Sequence, residues 1–364
     1  MKRLVYAIAP PVVAVVFALA ATCVVIAISG GSVGAFLSTI FSVPNDRILV
    51  NIVNQSSLLA ISGFAAAIGF RMGLFNIGVE GQYIVASCAA AFFGGSGLVP
   101  GPLNILATLV VAVLAGAAYA SIAGILKVTR GVSEVISAIM LNYIALTMAG
   151  YLVQRYGVKA GYTYATKDLP LSSQPLGFAI LPGANDVWAL TIVAAAVAVG
   201  YWFLLSRTRF GFDLRTTGES PTAALASGIG VKKMVVISMA LSGGVAGLVW
   251  MPAYFGSVHR FGVPENFQAG LGFAGLAVAL LGRNRVPGII LGAVLFAYLA
   301  GQSNELQRDG IAKQVVDITQ GVVVLAVVVA YEIVRRRQSR VEREQVSEEL
   351  AATGAAAPSG EGAR

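Results

Sequence analysis

The stretch Asn104-Ile105-Leu106-Ala107-Thr108-Leu109-Val110-Val111-Ala112-Val113-Leu114-Ala115-Gly116-Ala117-Ala118-Tyr119-Ala120-Ser121-Ile122-Ala123-Gly124-Ile125-Leu126 carries no charge and ends on Lys127. A helix needs about 20 apolar residues to cross the hydrocarbon core of a bilayer. The run is long enough to do so and shows none of the short alternating segments of a β-barrel. Comparable runs lie near 5–29, 48–70, 82–99, 134–154, 187–206, 234–256, 268–282, 286–302 and 318–334. The chain is therefore expected to be all-α, a polytopic transmembrane helical bundle of about ten spans. The run at 82–99 is interrupted by glycine, and the pair at 268–302 is split by Arg283-Asn284-Arg285-Val286-Pro287.

Composition points the same way. Of 364 residues, 57% are hydrophobic and 12% charged, against about 25% charged in a soluble domain. A chain of this size cannot bury that much apolar surface in water. The 42 glycines suit close helix approach in lipid. Cys23 and Cys88 both sit in apolar runs and are read as packing residues, and His259 is the single histidine. Neither a disulfide framework nor a zinc or histidine-based catalytic set follows.

The net charge of +8 is explained by orientation. With the N-terminus inside, the cytoplasmic segments hold Lys2, Arg3, Arg71, Lys127, Arg130, Arg207, Arg209, Arg215, Lys232, Lys233, Arg283, Arg285, the cluster from Arg335 to Arg343, and Arg364. The outer segments hold Arg47, Arg155, Lys159, Lys167, Arg260, Arg308 and Lys313, so 18 of the 25 basic residues fall inside. This obeys the positive-inside rule and favours an even number of spans with both termini cytoplasmic. No nucleic-acid partner is needed to explain the charge. The first run follows Lys2 and Arg3 but has no persuasive small-residue cleavage site, so it is read as an uncleaved helix. Residues 1–337 form the membrane domain, and 338–364 form a disordered cytoplasmic tail of mixed charge, alanine and glycine.

Three polar features stand out. In the longest cytoplasmic loop, about 207–233, Ser220 is a good N-cap, Pro221 suits the first helical position, and Gly228 can end the helix with a left-handed cap. The segment Gly218-Glu219-Ser220-Pro221-Thr222-Ala223-Ala224-Leu225-Ala226-Ser227-Gly228 is thus a two-turn helix outside the membrane. It is either an ordinary interfacial helix or a plug for a groove on a partner. In the second feature, Gly69 to Gln82, polar residues and glycine break an apolar run around Asn76. Irregular backbone at membrane depth is tolerated only within protein or beside a water-filled path. Glu80 is its sharpest residue, because a carboxylate near lipid is costly; it is read first as part of a structural joint and second as a substrate contact. Third, Asn51, Asn54 and Gln55 share one helical face and, with Asn142, either line a polar passage or bond between helices. Glu134 opens its span as a charge favoured by the helix dipole.

Two glycine patterns are packing features. Gly270-Leu271-Gly272-Phe273-Ala274-Gly275 matches G-x-G-x-x-G but has no βαβ unit around it. Gly243 and Gly247 give a G-x-x-x-G contact face. No G-x-x-x-x-G-K-[ST] string occurs anywhere, so any ATP is bound by another chain.

At Phe75-Asn76-Ile77-Gly78-Val79-Glu80-Gly81-Gln82, at Gly131 to Ile136 followed by Leu141-Asn142-Tyr143, and at Gly218 to Ile229, the sequence resembles the permease subunits of bacterial ABC importers for nucleosides and simple sugars. It is most similar to the longer of two permeases in nucleoside importers, with order and spacing agreeing from about 45 to 335. The resemblance implies alternating access in the bacterial cytoplasmic membrane and no catalysis on this chain. It makes Gly218, Glu219, Ser220, Pro221, Ala223, Ala224 and Gly228 a coupling helix that docks on an ABC ATPase, which would hold ATP and magnesium. It also implies a second, different permease, an extracytoplasmic substrate-binding lipoprotein, and a pathway drawn from Asn51, Asn54, Gln55, Asn76, Glu80, Gln82 and Asn142. Ser220 departs from the Asn or Lys frequent before this proline, but it still caps a helix. The alternatives are a ribose-like sugar permease of the same architecture and a stand-alone secondary transporter or channel.

Overall fold

The computed structural model describes residues 16–17, 19–24, 26–28, 32–263, 267–308, 318, 321–322, 325–326 and 329. The expected spans near 5–29 and 318–334 and the tail 338–364 lie wholly or mostly outside the described residues. The chain divides into two compact units, one of Gly34–Lys313 and one of Met1–Val33 with Gln314–Arg364. In the second of these, the described residues include the short apolar helix Leu19–Ile28.

The helices of the larger unit are α1 (Val33–Phe41), α2 (Asp46–Arg71), α3 (Val79–Gly94), α4 (Pro102–Arg130), α5 (Glu134–Tyr156), α6 (Thr191–Arg207), α7 (Arg209–Glu219), α8 (Pro221–Ala226), α9 (Val231–Gly247), α10 (Leu271–Leu281) and α11 (Val286–Arg308). Helix α9 continues through a turn at Met251–Ala253 and a π-helical turn at Tyr254–Val258. Among the described residues, five helices are long and apolar enough to cross a membrane: α2, α4, α5, α9 with its extension, and α11. A sixth results if α6 and α7, bent by 76° at Thr208, count as one span. The runs expected at 82–99 and 268–282 form α3, of 16 residues, and α10, of 11.

Local chemistry sets the ends. The Asn45 side chain accepts the Ile48 N–H at 2.9 Å, and α2 has Asp46 in its first turn and Arg71 in its last, both favourable to the dipole. Pro102 opens α4 and Gly131, at φ +68°, closes it. The Lys127 ammonium then reaches back across that turn to the Glu134 carboxylate at 2.5 Å, so the charge opening α5 is an ion pair as well as a helix-start residue.

Helix α2 is the hub, and its stretch from Ser57 to Gly69 is buried throughout. Helices α4 and α9 meet backbone to backbone. A Cβ on Gly116 would collide with Gly243 O, one on Gly243 with the Ala120 Cβ, and one on Gly247 with Ala112 O. The expected glycine contact face is therefore a helix crossing in which no side chain fits between the backbones. By contrast, α4 and α5 leave broad apolar faces uncovered, including Leu106, Val110 and Leu114 on α4 and Ile136, Met140 and Ile144 on α5. Apolar patches of that extent fit lipid or another protein rather than water.

One element has no counterpart in the sequence pattern. The loop after α5 holds an antiparallel hairpin, β1 (Val158–Ala160) and β2 (Thr163–Ala165), turned at Gly161 with φ +64°. It is tied to the segment after the π turn by Thr166 N–H to Phe261 O at 2.8 Å, Leu169 N–H to His259 O at 2.8 Å, and an Arg260–Asp168 ion pair at 2.8 Å.

The glycine crossing gives a stability prediction. Gly243→Val must push two backbones apart, and overpacking of this kind costs about 1–3 kcal/mol or more. Gly150 on α5 has open space around it, so Gly150→Val is the control. Thermal unfolding of the purified protein should show a clear fall for Gly243→Val and little change for Gly150→Val. Equal melting temperatures would refute the packing.

Candidate functional site

The break between α2 and α3 is built from a closed amide pair. Asn76 is fully buried. Its Nδ2 donates to Gln82 Oε1 at 3.1 Å while Gln82 Nε2 donates back to Asn76 Oδ1 at 2.9 Å. Asn76 Nδ2 also donates to Ser242 Oγ at 2.7 Å, and that hydroxyl donates to Ala65 O at 2.6 Å. The pair thus bonds α3 to α9, and through Ser242 to α2. Asn76 Oδ1 further accepts the Gly78 N–H at 3.1 Å.

The glycines of the same string make room for this. A Cβ on Gly78 would meet Gln82 Nε2 at 2.8 Å, and one on Gly81 would meet Asn142 Oδ1 at 2.8 Å. Instead the Gly81 N–H donates to Asn142 Oδ1 at 2.8 Å, and Asn142 Nδ2 donates to Ile77 O at 3.1 Å. Asn142 therefore fastens α5 to the start of α3.

Glu80 is buried, and its carboxylate faces α10. Oε1 accepts the Gly270 N–H at 2.7 Å and the Tyr83 hydroxyl at 3.1 Å, and Oε2 accepts the Gly272 N–H at 2.8 Å. The first N–H groups of a helix have no partner of their own, and a carboxylate also suits the positive end of the dipole. Glu80 is thus the N-terminal cap of α10, supplied by another helix. Gly270, at φ +90°, allows the entry, and Gly272 lets α10 lie against the Glu80 backbone. Tyr83 holds the incoming segment as well: its one hydroxyl proton is shared between Glu80 Oε1 and Gln268 O, the latter at 2.7 Å, and its ring stacks on Phe267 at 5.3 Å. The G-x-G-x-x-G string is a packing surface whose third glycine, Gly275, lies against Ser62.

The remaining polar candidates separate. Asn54 is buried and clamps the loop before α6, with Nδ2 to Asp186 O at 3.1 Å and Oδ1 accepting the Trp188 N–H at 2.9 Å. Asn51 is exposed and Gln55 half-buried, so the three do not act as one set.

The capped helix forms as expected. Ser220 Oγ accepts the Ala223 N–H at 3.3 Å, Pro221 is the first helical residue, and Gly228, at φ +79°, terminates α8 with the Ile229 N–H on Ala224 O at 2.9 Å. Glu219, Pro221 and Ala223 are exposed, Gly218 packs on the backbone of Arg71 and Met72, and Ala224 is fully buried. The outward apolar residue is Leu225, 61% exposed. Ala224, which the resemblance includes in the coupling helix, faces inward in this chain, and an alanine-rich face does not say which alanine turns that way. Beside α8, a cleft of about 760 Å³ opens between α7 and α9, lined by Phe212, Gly228 and Lys233.

Asn76→Ala would strand Gln82 and Ser242 in the interior. An unsatisfied buried polar group costs about 1–3 kcal/mol. Unfolding of Asn76→Ala should occur at a clearly lower temperature, and Asn51→Ala should be nearly neutral. Equal effects would contradict the network.

Residues 48–330 match the family described as branched-chain amino acid transport system / permease component. The guanosine ABC transporter permease protein NupP of Bacillus subtilis is 34% identical over 342 residues, 92% of this chain and 96% of that protein. A second guanosine permease of the same organism, NupQ, is 30% identical over 65% of this chain and 75% of its own length. The glucose ABC transporter permease protein TsgB13 of Haloferax volcanii is 28% identical over 76% and 75%. No solved structure matches. With its long apolar helices and their uncovered faces, this is a multi-pass membrane protein. The chain belongs to the branched-chain amino acid transport system / permease component family.

Proposed function

We propose that this chain is the membrane permease subunit of an ATP-driven ABC importer of nucleosides. The observation that carries the proposal is its likeness, over nearly the whole of both chains, to a guanosine permease. The subunit is not an enzyme, and ATP is hydrolysed on a separate subunit. Its place is the bacterial cytoplasmic membrane, crossed about ten times with both termini inside. The sorting of polar contacts within the larger unit supports that orientation. Arg71, Arg215 and Arg285 gather around one cavity, while Arg47 bonds Gly183 O and Arg260 pairs with Asp168 in segments assigned to the outside.

Helix α8 is the coupling helix in this proposal. Its exposed face, with Glu219, Pro221, Ala223 and Leu225, docks on the ATPase that holds ATP and magnesium, while Ser220 and Gly228 fix its two ends. Gly218 rests on the end of α2, so a push on α8 reaches the helix that organises the bundle. A second, different permease completes the pathway, as supported by the likeness to both NupP and NupQ. An extracytoplasmic lipoprotein delivers substrate. Within the pathway, Asn51 and Gln55 are the side chains free to meet a solute. Asn76, Glu80, Gln82 and Asn142 form the rigid joint behind them, because their polar atoms already serve the fold. Asn54 holds the outer loop.

The likeness to a glucose permease favours a second reading, uptake of a simple sugar. The two are separated by uptake into proteoliposomes holding the assembled complex. Labelled guanosine should enter with ATP and be displaced by adenosine or uridine but not by ribose or glucose; the reverse pattern would give the function to sugars. In the same assay Leu225→Glu should lower ATP-driven uptake about tenfold or more, as loss of an interface anchor does, with melting temperature unchanged. Full uptake by this variant would rule out docking through α8.

A further inference from the structure

We infer that the seam between α6 and α11 is a binding site for an anionic phospholipid, with its headgroup phosphate in an arginine pocket and an acyl chain along the helices above it. The pocket has a volume of about 240 Å³ and is lined by Arg71 at the end of α2, Arg215 on α7, and Arg285 with Val286 and Pro287 at the start of α11. Among the described residues, no carboxylate pairs with any of these three arginines. Arg71 spends one N–H on Asn284 O at 3.0 Å, a carbonyl that also accepts the Tyr201 hydroxyl at 2.9 Å. Its charge is left uncompensated. Three guanidinium groups around one small cavity repel one another unless an anion sits between them, and the guanidinium fork matches a phosphate oxyanion. The start of α11 adds the positive end of a helix dipole to the same field.

The level and the surroundings select a lipid. The pocket lies where α2 ends, α6 nears its end at Arg207 and α11 begins, which in the orientation proposed above is the polar boundary of the bilayer. Trp202, 47% exposed, stands there with Arg207 over its ring at 5.6 Å, an amphipathic pair suited to the interface. A second, largely apolar cavity of about 220 Å³ follows, lined by Ala194 and Ala198 of α6, Ile290 and Val294 of α11, and Val53 and Ser56 of α2. On α6 the residues 194, 198, 201, 202 and 205 run along one face from this cavity into the pocket, and on α11 residues 287, 290 and 294 do the same. From Val286 to Val294 the rise is about 12 Å, room for the upper part of an acyl chain. A small anion explains the arginines but not the apolar groove. Because Arg215 lies on the helix that leads into α8, an occupied site braces the base of the coupling element.

The test uses the full-length protein purified in a neutral detergent, with phosphatidylglycerol, phosphatidylcholine or inorganic phosphate added, and reads bound lipid by native mass spectrometry. Phosphatidylglycerol should bind in preference to phosphatidylcholine. Arg215→Gln and Arg285→Gln should each weaken it by about fivefold, Arg285→Lys, which keeps the charge but not the fork, should fall between Arg285→Gln and the unaltered protein, and Arg130→Gln, at the end of another span, should change nothing. Ala198→Trp, which fills the groove without altering charge, should also lower retention. The inference is overturned if phosphatidylcholine binds equally well, if the double Arg215→Gln, Arg285→Gln variant retains phosphatidylglycerol, or if Arg130→Gln weakens it as much. It also falls if millimolar phosphate displaces the lipid completely, since the site would then be one for a free oxyanion.

Discussion

The larger unit depends on one buried carboxylate. Glu80 accepts the Gly270 and Gly272 N–H groups that open α10, so a helix early in the chain caps one that comes nearly two hundred residues later. Burying a carboxylate away from water is expensive unless its charge is answered by hydrogen bonds. Two backbone donors, the Tyr83 hydroxyl and the positive end of α10 supply that answer. The rest of the break fixes the turn that carries Glu80. Asn76 and Gln82 lock the first turn of α3, Asn142 ties it to α5, and Gly78 and Gly81 leave the space these amides fill.

This arrangement gives the string Asn76-Ile77-Gly78-Val79-Glu80-Gly81-Gln82 a physical meaning. Asn76 and Glu80 bond other helices, Gln82 locks Asn76, and Gly78 and Gly81 leave room for these amides. A joint so bonded suits the proposed role of α8 as the place where motion enters the permease. The mechanical link is short. Gly218, just before α8, packs on the backbone of Arg71 and Met72, and the break begins a few residues later at Leu74, whose N–H returns to Gly69 O.

Much of this was legible in the sequence, for reasons that also mark its limits. Long uncharged runs identified α2, α4, α5, α9 and α11, since lipid imposes length and apolarity directly. The cap at Ser220 and the left-handed turn at Gly228 were readable because capping is local chemistry. The break at Asn76 is visible as polar residues in an apolar run, and Glu80 stands out there as a carboxylate in apolar sequence. Its bonding partners were not visible, because Gly270 and Gly272 are remote and read as glycine packing. The shared face of Asn51, Asn54 and Gln55 was real as helical geometry, yet Asn54 is engaged by Asp186 and Trp188, which no spacing rule connects to it. The hairpin at 158–165 is too short and too close to charged residues to stand out. Its one local signal is Gly161 at the turn. Residue spacing also could not show that α3 would stop at Gly94, where Gly95 crosses the backbone of Lys167.

Glu80 is proposed to shape the permease and not to bind its solute. The most direct measurement is Glu80→Gln in the assembled transporter, with melting temperature and uptake kinetics read on the same preparation. The amide keeps the shape but cannot accept all three bonds and carries no charge for the helix dipole. The account predicts a lower melting temperature with KM for nucleoside unchanged at a temperature where the variant is folded. An unchanged melting temperature together with a raised KM would make Glu80 a substrate ligand and contradict the account.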